Sequence, residues 1–183
     1  DIVFVYTPLY KERLMKENKP EYQIHVVGNT LLEVVNEFLP KITSVPKTRD
    51  YLLADIHRNE VLVDPNKYLH ILKFISKLGY MMEYPVKLVR FGRGEKLIKE
   101  HDLLKGLSNI ELVGPYGFLK YLDLQYHAVG VISNSGSCEE ELPLLGTPAV
   151  VPRNFTERPE AQQGGCSRLV GEDSNIDEMV MGA

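Results

Sequence analysis

Cysteine is scarce: Cys138 and Cys166 are the only two in 183 residues. Two thiols make neither a disulfide framework nor a zinc site, and a reducing cytoplasm is the expected compartment. No apolar run approaches the roughly 20 residues that a membrane-spanning helix needs, so none is expected. Basic charge is not in excess either. Lys and Arg number 21 against 25 Asp and Glu, a formal net charge of -4. That balance gives no electrostatic reason to expect nucleic acid or an anionic membrane as a partner. Internal repeats, low-complexity segments and long blocks of one charge are absent, which excludes repeat architectures and charged tails. What is present suffices for a real core: 44% of residues are hydrophobic and 25% charged. The length suits one domain of moderate size, or one and a fraction. No cofactor and no metal are expected.

Apolar runs alternate with amphipathic stretches along the chain. Strands are predicted near residues 2–6, 23–27, 51–56, 86–91, 110–113, 128–133, 149–152 and 168–170. Helices are predicted near 9–17, 31–39, 66–78, 95–104, 117–126, 139–145 and 157–163. Such alternation predicts βα units and a doubly wound parallel sheet, the Rossmann-like α/β class. Pro143 is awkward in the sixth helix, whose first turn is then irregular or whose regular part starts later than residue 139. Residues 40–49, with two prolines and no clear period, form a linker candidate. Gly92-Arg93-Gly94-Glu95-Lys96 lacks the spacing of a phosphate-binding loop and reads as a strand-to-helix connection.

The densest chemistry lies in Ser133-Asn134-Ser135-Gly136-Ser137-Cys138-Glu139-Glu140-Glu141 and in Thr156-Glu157-Arg158-Pro159-Glu160. The first follows an apolar run that reads as a buried parallel strand. A strand, a turn of small residues and a helix start together make an anion site, because unpaired N–H groups and the positive end of the helix dipole face the turn. Ser135 and Ser137 add hydroxyl donors, and Gly136 lets a phosphate come close to the backbone. Glu141 can accept hydrogen bonds from ribose hydroxyls, and Arg158 supplies the planar fork that a diphosphate favours. The combination reads as a pocket for a nucleoside diphosphate. A Ser-Gly-Ser turn is also an ordinary helix cap, and a Glu run is commonly a solvated helix face.

Ligands of doubly wound sheets bind beyond the carboxyl ends of the strands. His57 and Ser135 both fall just past predicted strand ends. A lone histidine there is more often a cap or a structural residue; Arg58 and Glu60 beside it, together with the resemblance given below, favour a site role. His25, His70, His101 and His127 are read as structural or exposed. Tyr116 and Tyr121 lie in the stretch before the helix that leads to the Ser-Gly strand, and aromatic residues at helical spacing mostly fill core.

These motifs carry a resemblance. Asn134-Ser135-Gly136-Ser137-Cys138-Glu139-Glu140-Glu141, Thr156-Glu157-Arg158-Pro159-Glu160 and His57-Arg58-Asn59-Glu60 resemble the signatures of the non-hydrolysing UDP-N-acetylglucosamine 2-epimerases, the second without change. Weaker similarity runs through Val27-Gly28-Asn29-Thr30 back to Asp1. The resemblance implies a GT-B-like pair of Rossmann-like domains with the active site between them. Residues 1–45 are then the tail of the first domain and its linker, 46–173 the nucleotide-binding second domain, and 174–183 the start of a helix. The chain is expected to be about half of a complete family member. The complete protein is expected to be a homodimer that takes a UDP-sugar.

The implied chemistry removes the proton at C2, expels UDP to give a 2,3-unsaturated sugar, and adds UDP back with C2 inverted. By resemblance the acid–base carboxylates precede Asp1. His57 is the catalytic residue expected here, with Ser135, Gly136, Ser137, Glu141, Arg158, Tyr116 and Tyr121 binding UDP. Departures from the family pattern are Asn134 for Asp, Ser137 for Gly, and Cys138 for an apolar residue. Phe91 stands where many bacterial members carry a His that serves a second, regulatory nucleotide-sugar; it cannot replace that residue's polar contacts, so activation by substrate is not expected. A GT-B glycosyltransferase donor domain, a hydrolysing epimerase and a nucleotide-binding module without turnover are the alternatives.

Overall fold

The computed structural model describes residues 1–183. The chain divides into two compact units, Asp1–Glu37 and Phe38–Ala183. In the first, β1 (Val3–Val5) and β2 (Ile24–Val26) pair in parallel, with Val3 opposite Ile24, and α1 (Pro8–Lys16) connects them. Pro8 opens α1 at a position where its missing N–H costs nothing. The division falls inside α2 (Thr30–Ile42).

Here the structure corrects the sequence reading. The helix does not end ahead of the linker candidate but continues through Pro40 to Ile42, which is buried. Burial of an apolar residue two positions beyond the proline offsets the hydrogen bond that the proline removes.

The second unit follows the predicted alternation. Its elements are β3 (Leu52–Asp55), α3 (Asn59–Leu62), α4 (Pro65–Met82), β4 (Val86–Val89), α5 (Gly92–His101), β5 (Ile110–Val113), α6 (Phe118–His127), β6 (Gly130–Ser133), α7 (Gly136–Leu145), β7 (Ala149–Val151), α8 (Pro159–Gln163), β8 (Ser167–Leu169) and α9 (Ile176–Gly182). The six strands form one parallel sheet in the order β5-β4-β3-β6-β7-β8. Counted within this unit, that is the 3-2-1-4-5-6 order of doubly wound dinucleotide folds. No helix is long and apolar enough to cross a membrane.

The central strand explains the core. All four residues of β3 are buried, as a strand covered on both faces requires. Leu52 and Ala54 face α4, where Tyr68, Ile71, Leu72, Ile75 and Leu78 recur at helical spacing. Leu53 and Asp55 have the opposite parity and turn toward the other face. Asp64 caps α4 by accepting the Asn66 N–H at 2.8 Å, with Pro65 in the first turn. At Gly79 the helix passes so close to β4 that an added Cβ would lie 2.8 Å from Val86 Cγ2. Glycine is required there by contact rather than by backbone angle.

Three helix starts differ from expectation. The Gly92-Arg93-Gly94 stretch is the first turn of α5, not a connecting loop. Short α3 sits where no helix was expected, begun by the turn at Arg58. The helix containing Pro143 starts earlier than expected, at Gly136, and its first turn is regular. Pro143 falls near its far end, three residues before the left-handed Gly146 (φ 60°) that stops it, so little helix is left to disrupt.

Candidate functional site

β3 and β6 are neighbours, and the chain leaves them toward opposite edges of the sheet. Such a switch point opens a crevice beyond the carboxyl ends of the two strands. The two connections that line it are stitched together by Asn134, which is fully buried. Asn134 Oδ1 accepts the main-chain N–H of His57 at 3.1 Å and that of Arg58 at 3.4 Å. Its main-chain oxygen accepts from Arg58 Nε at 3.1 Å. Asn134 thus holds the His-Arg turn against the start of α7.

At that start, Ser135 occupies the cap position, but its hydroxyl caps no backbone N–H and faces the Ser137 hydroxyl at 3.0 Å. The first turn of α7 therefore keeps its donors for an anion. Arginines surround it. A Cβ added at Gly136 would lie 3.5 Å from Arg58 Nη2, 3.6 Å from Glu157 Oε2 and 3.9 Å from Arg158 Cζ. Arg58 grips Glu157 with both terminal guanidinium nitrogens, at 3.0 and 3.3 Å. Buried Arg153 adds contacts to Glu60 at 3.3 Å and Glu157 at 3.4 Å. The Arg58 pair holds the Glu157 carboxyl below its usual range.

The three consecutive glutamates have three different fates. Glu139 is buried and accepts from Thr156 Oγ1 at 2.6 Å and Ser167 Oγ at 3.1 Å. Burial still raises its carboxyl above the usual range. Glu140 pairs with Arg158 Nε at 2.5 Å. Glu141 is buried, 4% exposed, and accepts from Gln125 Nε2 at 2.7 Å. Burial pushes its carboxyl up to about 7. The run is therefore not a solvated helix face. Thr156 also accepts the Arg158 N–H at 2.9 Å, which sets the turn that presents the arginine.

A cleft of about 510 Å³ opens on this corner, lined among others by His57, Arg90, Tyr116, Tyr121, Ser135 and Ser137. His57 Nδ1 lies 2.7 Å from Asp55 Oδ1, and its ring packs against Phe91 with centroids 4.8 Å apart. Tyr121 donates its hydroxyl to Asp55 Oδ2 at 2.5 Å, and burial raises that phenol well above its ordinary range. Tyr116 stands exposed at the rim. A larger cavity, about 590 Å³, lies at the opposite ends of the strands between Leu52, Gly130, Pro148 and Cys166. It gathers no comparable set of acid–base groups. Of the expected site residues, the fold brings His57, Ser135, Ser137, Tyr116 and Tyr121 around one cleft. Gly136 and Arg158 lie beside it at the start of α7, and Glu141 faces Gln125 instead.

The family model described as UDP-N-acetylglucosamine 2-epimerase matches residues 1–180. The chain belongs to the UDP-N-acetylglucosamine 2-epimerase family. It is 30% identical over 185 residues to the UDP-N-acetylglucosamine 2-epimerase of Methanocaldococcus jannaschii, covering 93% of this chain and 50% of that protein. The Bacillus subtilis (strain 168) relative of the same name is 29% identical over 184 residues, covering 94% and 47%. Among solved structures, Methanocaldococcus jannaschii UDP-GlcNAc 2-epimerase in complex with UDP-GlcNAc and UDP matches with a TM-score of 0.89. That match has 26% identity and covers 99% of this chain and 52% of that one. The chain spans about half the length of the curated relatives it matches.

Sequence reasoning missed Asp55 and Arg90 in this family member. Asp55 had a legible signal: a carboxylate that closes the apolar run Leu52-Leu53-Ala54, two residues before His57. Arg90 had none, because its place beside the cleft depends on β4 lying next to β3.

Proposed function

We propose that this chain is the UDP-sugar-binding part of an enzyme that interconverts UDP-N-acetylglucosamine and UDP-N-acetylmannosamine by eliminating UDP and adding it back. The observation that carries this is the open first turn of α7 flanked by Arg58 and Arg158, with His57 across the same cleft. The reaction breaks the C1–O bond to UDP and removes the C2 proton. Loss from those two carbons puts the double bond between C1 and C2, which corrects the 2,3-unsaturated intermediate expected above. Re-addition returns a proton to C2 from the other face.

Charge grows on the diphosphate as the C1–O bond breaks. Helix N–H groups and arginine forks fixed beforehand stabilise that charge without reorganising. Glu157 and Glu140 hold the two guanidinium groups in place at the start of the helix. His57 presents its second ring nitrogen to the sugar side of the cleft, and Tyr116 and Tyr121 supply aromatic walls for the base. The complete enzyme is a two-domain homodimer whose other domain contributes the acid–base carboxylates.

Calorimetry tests the nucleotide assignment. UDP is expected to bind at least about tenfold more tightly than uridine, since the phosphates carry most of the contacts. Equal affinities would remove the assignment. Arg158→Ala is expected to weaken UDP binding by about 2 kcal/mol, the loss of a charge-assisted contact. Arg158→Lys recovers part of it, because lysine lacks the fork. Full affinity in the lysine variant would reduce Arg158 to a generic positive charge.

A further inference from the structure

We propose that Asp55 is a positioning residue for two parts of the cleft at once: it fixes the His57 imidazole in a single tautomer and anchors the Tyr121 ring by its hydroxyl. Asp55 closes β3 and is 2% exposed. Its parity on the strand turns it toward α6 and α7, and a residue two positions on shares that direction. Hence His57 comes back within reach although the strand has ended. Asp55 Oδ1 meets His57 Nδ1 at 2.7 Å, while Oδ2 meets the Tyr121 hydroxyl at 2.5 Å and Cys138 Sγ at 3.7 Å.

An ionised carboxylate accepts hydrogen bonds and donates none. Each of its three neighbours must therefore bring a hydrogen, and for His57 that places the proton on Nδ1. The other tautomer would set a nitrogen lone pair against a carboxylate oxygen at 2.7 Å. Phe91 packs against the imidazole ring but offers no hydrogen bond. Nε2 is thereby left with its lone pair on the cleft, ready to accept a proton or a hydroxyl donor. On the other side, the Tyr121 hydroxyl sits between Asp55 and Cys138 Sγ, 3.2 Å away, so the ring cannot swing without breaking its bond to the carboxylate. One buried carboxylate links the imidazole to an aromatic wall of the same cleft. Assigning that wall to the base and the imidazole to the sugar rests on the function proposed above; the tautomer does not.

Nitrogen NMR on histidine-labelled full-length protein reads the tautomer directly, with the His57 signals assigned by their loss in His57→Gln. The wild type is expected to show Nδ1–H at neutral pH. Asp55→Asn presents an amide that donates to Nδ1 and is expected to shift His57 toward Nε2–H. In that variant kcat for C2 proton exchange falls at least about tenfold while KM moves less than about threefold. Tyr121→Phe keeps the ring and removes only its anchor. It is expected to leave the tautomer unchanged and to weaken uridine binding by roughly three- to tenfold.

A wild-type Nε2–H tautomer overturns the proposal even if Asp55→Asn fails to fold. So does Asp55→Asn that keeps both Nδ1–H and kcat. Unchanged uridine binding in Tyr121→Phe overturns the anchoring half. A tautomer shift in a protein that turns over no nucleotide-sugar would support the positioning role and remove the proposed function.

Discussion

Substituting His57 by alanine in the full-length protein is expected to lower both epimerisation and C2 proton exchange by about 10²- to 10⁴-fold, the usual contribution of a positioned acid–base group. UDP affinity is expected to change far less. The phosphate donors proposed above are the first turn of α7, Arg58 and Arg158, none of which depends on the imidazole. The His57 main-chain N–H, which Asn134 holds, survives the substitution. Alanine does leave Asp55 with one donor fewer in a buried place, so melting temperature must be followed alongside rate. His57→Gln, close in size, separates loss of chemistry from loss of packing. Deuterium incorporation at C2 at an undiminished rate in both variants would show that His57 takes no part in the reaction.

The fold was legible where burial alone dictates structure. The strand Ile110–Val113 falls on its predicted residues, and the four-residue core of β3 lies within the predicted 51–56, because a strand covered on both faces is a short apolar run with polar ends. The errors came where local propensity and tertiary context disagree. Gly136-Ser137-Cys138 is a poor helix-forming triplet, yet it forms the first turn of α7 because β6 delivers the chain into the crevice in that direction. Pro40 reads as a breaker, and Ile42 carries the helix past it through burial.

The site divides the same way. That Ser135, Ser137 and His57 come to one cleft was readable because the strand-end turn and the strand-end histidine are local features. The pairing of Arg58 with Glu157, 99 positions apart, and the descent of Glu141 onto Gln125 depend on how α6, α7 and the Thr156–Pro159 turn pack, and no spacing encodes that.

Glu141 gives the chain a stability that falls as pH rises. Its carboxyl sits 4% exposed against Gln125, with the charges of Asp55 and Glu140 nearby; burial, the largest cause, and those charges push it from an ordinary 4.5 up to about 7. Between those two values the folded chain keeps a proton on Glu141 that the unfolded chain has released. Raising the pH through that window therefore favours unfolding, and the loss is complete once the folded group has ionised. At about 1.4 kcal/mol per pH unit, the ceiling is about 3 kcal/mol. Glu139, raised by burial as well, adds in the same direction.

Glu141→Gln removes the buried charge, while its amide oxygen can still accept from Gln125. The variant is expected to match the wild type near pH 5 within about 1 kcal/mol and to exceed it near pH 8 by as much as about 3 kcal/mol. Urea unfolding of both proteins at the two pH values measures this. Parallel pH dependence in the two would mean that Glu141 is ionised in the folded chain throughout, and that its carboxylate has partners beyond Gln125.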